Sequence, residues 1–324
     1  MQQIVGVDIG GTGARAQLYE WDGEKFVAIG SPAEVRMADV SGFPELVGAL
    51  SRLLGQPLGE ADAIGFAATG LFQNGIARHP KFPKGILEVA TTALRLGWKR
   101  WQWTNDFMAE AAATQVLEVQ STALHICGGM HHPKPGKVSV VGPGTGLGHA
   151  ALYDCSGQPF IVTTEAGHSA VPVRYLAGQG DFLRFLSLRV EHDHVDGLTV
   201  ERVVSGDGLA LVIEFVTGKP WNPMAPIVLT TLPEDVARIF CLYLGLQAGG
   251  YVLSSGAWDG LYLTGGVLKR NPELLTGVGL ESFIRGLTSP IRHKRMLAAM
   301  PVWVMTHPQT GTLGAAANVS QLLK

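Results

Sequence analysis

The chain has 324 residues, 46% hydrophobic and 16% charged, with a formal net charge of -2. It is too long for one small domain, it has apolar mass for a sizeable core, and its near-neutral balance excludes the basic footprint of nucleic-acid or anionic-membrane binding. The cysteines Cys127, Cys155 and Cys241 stand far apart without CxxC or CxC spacing, which excludes a disulfide framework and a cysteine-rich zinc site. No basic leader precedes an apolar run at the N-terminus, and no stretch reads as a membrane span. The expectation is a cytoplasmic protein with a small soluble ligand, no nucleic acid and no membrane partner.

Residues 4–9 form an apolar run that reads as a buried strand. It enters Gly10-Gly11-Thr12-Gly13, and the strand pattern resumes over 14–18. Glycines at a strand end tolerate positive φ and let backbone N–H groups approach an anion, so phosphate is the natural guest. An ordinary tight hairpin is the plainer reading. Asp8 at the strand end could hold a hydrated Mg²⁺, and Arg15 on the return strand could face phosphate. Between 34 and 63 the chain reads as one helix, 42–54, closed by Gly55 and Pro57. A buried strand at 61–68 follows, turned outward by Thr69-Gly70, then an irregular loop at 73–84 and a helix at 87–96 stopped by Gly97. Within the loop, His79 and Lys81 read as solvated rather than as ligands.

Trp103-Thr104-Asn105-Asp106-Phe107 is a short apolar run that ends on an Asn-Asp pair. A carboxylate at the lip of a buried strand can accept a proton from a substrate hydroxyl, and the neighbouring amide can hold that substrate in register. Asp106 is read as the general base. The alternative is that the pair only caps the helix expected over 107–116. Strands at 124–127 and 137–141 follow, separated by a Gly/His/Pro-rich loop in which His131-His132 lacks a partner for metal. The second of these strands ends in Gly142-Pro143-Gly144-Thr145-Gly146-Leu147-Gly148 before a return strand at 149–153. The opening device thus recurs about 130 residues on, as expected of two domains of similar fold that face a nucleotide from opposite sides. Helices are expected at 181–190, 200–205, 209–216, 235–253 and 311–323, and strands at 261–263 and 301–305. Alternating strands and helices favour an α/β fold with mixed sheets.

Val7-Asp8-Ile9-Gly10-Gly11-Thr12 with Arg15, Thr104-Asn105-Asp106-Phe107, the Gly142 to Gly148 run, Glu165-Ala166-Gly167-His168, Glu201-Arg202-Val203-Val204-Ser205-Gly206 and Leu263-Thr264-Gly265-Gly266 together resemble the bacterial glucokinase family. Each motif is weak alone; in this order and over most of the chain they are jointly specific. The resemblance implies two RNase H-like domains of actin/hexokinase type around a central cleft, 1–108 plus 309–324 and 109–308. The C-terminal helix would return to the first domain. It further implies ATP-dependent phosphorylation of a hexose, most simply glucose to glucose 6-phosphate in glycolysis, with Asp106 as base. Asn105, Glu165, His168 and Glu201 would bind sugar. Asp8, Gly10, Gly11, Thr12, Arg15, Gly142, Gly144, Thr145 and Gly146 would meet the phosphates and Mg²⁺, the latter at Asp8 through water, and Gly265 and Gly266 would face adenosine.

Without the resemblance, Glu165 reads equally as an i,i+3 partner of His168, and Glu201 as a surface charge beside Arg202. The chain departs from the family pattern where Ala166 replaces a second glycine, where Ala170 and Val171 replace aspartate and phenylalanine, and in the loop after 64–68. These departures leave open a kinase for another hexose or amino sugar, or a non-catalytic sugar-binding regulator. A homodimer is also left open.

Overall fold

The computed structural model describes residues 1–78, 86–132, 136–173, 179–193, 197–221 and 233–323. Two units are distinguished within it: Met1–Thr122 with His307–Lys324, and Ala123–Thr306. The first contains β1 (Gln2–Ile9), β2 (Gly13–Trp21), β3 (Phe26–Arg36), α1 (Phe43–Leu54), β4 (Ala63–Ala68), β5 (Leu71–Gln73), β6 (Ile76–Arg78), β7 (Ile86–Glu88), α2 (Val89–Leu96), β8 (Trp101–Asn105), α3 (Asp106–Ala113), α4 (Leu117–Thr122) and the C-terminal helix Thr310–Ser320. The division expected after residue 108 falls inside α3.

The main sheet runs β3-β2-β1-β4-β8. The first three strands form an antiparallel meander, and β4 and β8 continue it in parallel. Its two faces are built from different residue sizes. Val5, Val7, Ile64 and Phe66 join Phe43, Leu46, Val47 and Leu50 of α1 in one core, the last four lying at the i, i+3, i+4, i+7 spacing of one helix face. The intervening Gly6 and Gly65 turn the other way. A Cβ on Gly6 would strike the Thr312 carbonyl, and one on Gly65 the Ala315 carbonyl. The C-terminal helix therefore lies directly on the sheet backbone, an approach only glycine permits.

Several edge elements were not expected from sequence. β3 is an edge strand with mostly exposed or half-exposed residues, so the alternation that would reveal it is diluted. Residues 71–78, of which 73–78 fall in the expected irregular loop, form a hairpin in which Gln73 pairs with Ile76. Its turn residues Asn74 and Gly75 have φ of 53° and 79°, the geometry for which Asn-Gly is preferred in two-residue hairpins. β7 occupies the start of the expected 87–96 helix. His79, Pro80, Lys81 and Pro83 lie outside the described residues.

The second unit contains β9 (Leu124–Cys127), β10 (Lys137–Pro143), β11 (Leu147–Cys155), β12 (Gln158–Thr164), α5 (Gln179–Asp193), α6 (Gly206–Thr217), α7 (Glu234–Ser255), β13 (Gly260–Leu263), α8 (Gly266–Arg270), α9 (Gly277–Leu287), α10 (Lys294–Ala299) and β14 (Val302–Val304). Its sheet order, β12-β11-β10-β13-β14-β9, repeats the plan of the first: an antiparallel meander, here β12-β11-β10, followed by parallel β13 and β14. Contrary to the sequence reading, α7 is long and apolar enough to span a membrane by length and composition. Its apolar residues are instead buried in this unit's core. Gly245 and Gly249 of α7 sit against the Phe283 and Leu287 carbonyls of α9, so small residues four apart let two helices touch backbone to backbone. His132, expected in a loop, stacks on Trp303 with ring centroids 3.9 Å apart, and its Nδ1 meets the Tyr262 hydroxyl at 2.9 Å.

Gly65→Ala is expected to lower the unfolding free energy by about 1–3 kcal/mol or more, the cost of forcing a methyl into a packed site. Urea denaturation measures this, and an unchanged midpoint would show that the C-terminal helix does not rest on this face.

Candidate active site

In the first unit the site is set by where β8 ends. Trp103 is stacked on Phe66 and Phe72, with ring centroids 5.7 and 5.8 Å away, and the parallel register pairs Asn105 with Ala68 of β4. The strand then passes into α3 at Asn105, whose side-chain oxygen accepts from the Phe107 N–H at 2.8 Å. Asn105 is therefore the N-cap that the plainer sequence reading anticipated. Capping occupies its carbonyl oxygen and leaves the amide nitrogen as the group able to donate to a ligand.

Asp106 is held differently. One carboxylate oxygen accepts from the Thr69 hydroxyl at 2.8 Å and the other from the Phe107 N–H at 3.0 Å. Burial pushes its carboxyl above the ordinary carboxylate range, against the pull of these two bonds, and the nearby Glu110 adds to the rise. A desolvated carboxylate with a raised pKa is what a general base requires. Thr69 was missed at the sequence level because 37 residues separate it from Asp106; only the β4–β8 register brings the two together.

Asp8 lies one residue before the end of β1, opposite Arg15 of β2 and Ala67 of β4. Its carboxylate lies against Gly311, where a Cβ would collide with Oδ2. It thus faces the first turn of the C-terminal helix, the electropositive end of that element. The turn after β1 closes with Gly10 N–H donating to the Gly13 carbonyl at 2.9 Å, while the Thr12 carbonyl accepts from Met37 N–H at 3.0 Å. Arg15 is committed elsewhere: it pairs with Glu34 at 2.7 Å and donates to the Pro308 carbonyl at 3.0 Å.

In the second unit the glycine-rich turn between β10 and β11 is shaped by its neighbours rather than by left-handed backbone. None of Gly142, Gly144 and Gly146 has positive φ, nor has Gly10, Gly11 or Gly13 in the first turn, contrary to the sequence expectation. The Gly144 N–H donates to the Gly146 carbonyl, and the Gly144 carbonyl accepts from Gly206 N–H at the start of α6, both at 2.8 Å. Gly265 is the residue that does need its conformation, with φ +91°; there a Cβ would strike the Pro143 carbonyl.

Glu201 reaches this turn directly. Its Oε2 accepts from the Leu147 N–H at 2.7 Å, and Gly146 leaves the room its carboxylate occupies. Glu201, for which a surface charge beside Arg202 was the alternative reading, makes this contact across 54 residues. Glu165 and His168 do approach as i,i+3 partners, at 3.9 Å with side chains 89% and 62% exposed. A pair that long and that exposed contributes little to stability, so both groups stand open to a ligand. Between them Gly167 is buried, with no room for a Cβ beside the Leu147 carbonyl. The unit thus gathers the glycine-rich turn, Glu201 and the 165–168 segment around Leu147.

A family profile described as Glucokinase matches residues 5–322. The chain belongs to the glucokinase family. Among its relatives, the glucokinase of Zymomonas mobilis subsp. mobilis is 32% identical over 329 residues, covering 97% of each chain. Among solved structures, a glucokinase from an Antarctic psychrotroph superposes with a TM-score of 0.82 at 23% identity and 99% coverage of both chains. A ROK family glucokinase from Streptomyces griseus, determined in complex with glucose and AMPPNP, gives a TM-score of 0.62 at 18% identity, with 98% of this chain and 99% of that chain covered. The fold is thereby the actin/hexokinase type, and the chain is a glucokinase-like hexose kinase.

The raised pKa of Asp106 makes a stability prediction with a definite sign. Below the ordinary value of 3.8 the carboxyl is protonated in both folded and unfolded chains. As pH rises through that value towards the higher folded pKa, the unfolded chain ionises first and folding stability falls. Asp106→Asn lacks this loss. Its thermal midpoint, relative to the parent, is expected to rise between acid and neutral pH; a gap that stays constant or shrinks would mean that Asp106 is not desolvated.

Proposed function

We propose that this chain transfers the γ-phosphoryl group of ATP to the 6-hydroxyl of glucose, with Asp106 as the general base. The observation that carries the reading is the state of Asp106: a carboxylate desolvated at a strand end, oriented by Thr69 and the Phe107 N–H, in a member of the glucokinase family. The nucleotide and sugar held by the Streptomyces griseus relative support the choice of substrates.

In this mechanism the Asn105 amide donates to the sugar, and Asp106 accepts the proton of the hydroxyl as its oxygen attacks the γ-phosphorus in line. Phosphoryl transfer asks the protein chiefly for positioning and charge stabilisation. The turns at 10–12 and 142–146 serve the phosphates through backbone N–H groups other than those of Gly10 and Gly144, which are bonded within the turns, and Gly265-Gly266 serves adenosine. Glu165, His168 and Glu201 bind ring hydroxyls, for which carboxylates and an imidazole offer the needed acceptors and donors. Arg15 reaches phosphate only by giving up Glu34.

Asp8 fits a Mg²⁺ site of the usual enzymatic kind. The ion keeps several waters and takes one or two carboxylates together with substrate phosphates, and a single carboxylate beside Gly311, where a Cβ cannot be accommodated, meets that requirement. When bound there, Mg²⁺ would neutralise charge on the phosphates.

For Asp106→Asn, kcat should fall by about 10²-fold or more, the usual worth of a positioned base, while calorimetric glucose affinity stays close to the parent's. An unchanged kcat would remove Asp106 from the role of base.

A further inference from the structure

Behind the 165–168 segment lies a buried polar pair that the reaction does not use. His149 on β11 and Gln247 on α7 are 1% and 7% exposed, and their Nε2 atoms are 3.1 Å apart. The same Gln247 nitrogen donates to the Ala166 carbonyl at 3.2 Å. An amide nitrogen offers two hydrogens and no acceptor, so one can serve Ala166 and the other His149, whose Nε2 must then be the unprotonated nitrogen of a neutral ring. The reversed amide would set its oxygen against the Ala166 carbonyl oxygen. Burial enforces the same state by pushing the His149 pKa down to about 4. The imidazole also packs on Tyr251, one helical turn beyond Gln247, with ring centroids 4.7 Å apart.

Ala166 is the node of the segment. Its carbonyl also accepts from the Ser169 N–H at 3.2 Å and from the Ser169 hydroxyl at 2.7 Å, so Gln247 adds the tie between this short turn and the long core helix. The other side of the turn is fixed by Gly167 against Leu147. Among the described residues, the exposed side chains of Glu165 and His168 have no strong contact of their own to set their direction, and their aim depends on the backbone that carries them.

We propose that Gln247, oriented by His149, is a positioning residue for sugar recognition: it anchors the Ala166 carbonyl to α7 and thereby fixes the hydroxyl-binding groups of Glu165 and His168. The proposal rests on the assignment of those two residues to the sugar. It adds a determinant in the core, in a helix given no substrate contact in the proposed mechanism. Replacing Gln247 by an apolar residue of similar length removes both donors without opening a large cavity.

Steady-state kinetics of Gln247→Met with glucose and ATP tests it. The KM for glucose is expected to rise about tenfold, the scale of one lost hydrogen bond, with the KM for ATP changing less than about twofold. In a Glu165→Gln/His168→Ala background the same substitution should add little, because residues acting through one another are not additive. A purely structural role would lower the thermal midpoint and leave the KM for glucose unchanged, or raise both KM values together, and either result overturns the proposal. If Gln247→Met folds poorly, His149→Leu, which keeps the Ala166 bond, must show the same selective split at smaller size. A raised glucose KM in Glu165→Gln beside an unaltered Gln247→Met would reject the positioning role and leave the sugar site intact; no change in either would reject both.

Discussion

A half-buried carboxylate is the most demanding feature of the first unit, and much of that unit can be read as what keeps Asp106 in place. Desolvating a charged group is costly unless hydrogen bonds meet it, and the two that do so come from different origins. The Phe107 N–H is local, supplied by the first turn of α3. The Thr69 hydroxyl is distant and arrives only because β4 and β8 run parallel with Ala68 beside Asn105. That register is fixed from one side by the stacked aromatics Phe66, Trp103 and Phe72. On the other side the C-terminal helix contributes: Gly314 lies against the Ala109 carbonyl of α3, and the Thr310 hydroxyl donates to Glu110 at 2.8 Å. The C-terminal helix thus packs on the element that carries Asp106, and the same helix begins beside Asp8.

The second unit solves a different problem. Under the proposed function the turn at 142–146 meets phosphate, and its shape has to be held from behind. Gly206 and Gly146 N–H and carbonyl groups do this within the backbone, and Glu201 does it through a side chain bonded to Leu147. Glu201 then has two attachments in prospect, the turn through Oε2 and a sugar hydroxyl through Oε1. Under the proposed function, a group of that kind would tie the geometry of the turn at 142–146 to occupancy of the sugar site within one unit.

The motifs were legible because they are local. A strand that stops at Gly10 or Gly142, and an apolar run that stops at Asn105-Asp106, announce themselves in a few residues, and the repeated hairpin device correctly foretold two sheets of one plan. What could not be read were features fixed by partners far along the chain. β3 and β12 are edge strands with largely exposed side chains, so no apolar alternation marks them. α9 contains Gly277, Gly279 and Gly286, which argue against a helix by propensity; Gly286 is there because α7 passes close over it. The uncharged length of α7 looks the same to hydropathy whether lipid or protein surrounds it. The Asn74-Gly75 turn was the exception, a local signal present in the sequence and overlooked.

The central claim is that a sugar hydroxyl, not water, receives the phosphoryl group, and the products decide it. Phosphorus NMR of the wild-type chain with ATP and Mg²⁺ should show ADP and a sugar phosphomonoester forming one for one with glucose, and neither forming with 6-deoxyglucose. Nucleotide consumed at the same rate with either sugar, with inorganic phosphate as the product, would contradict the account.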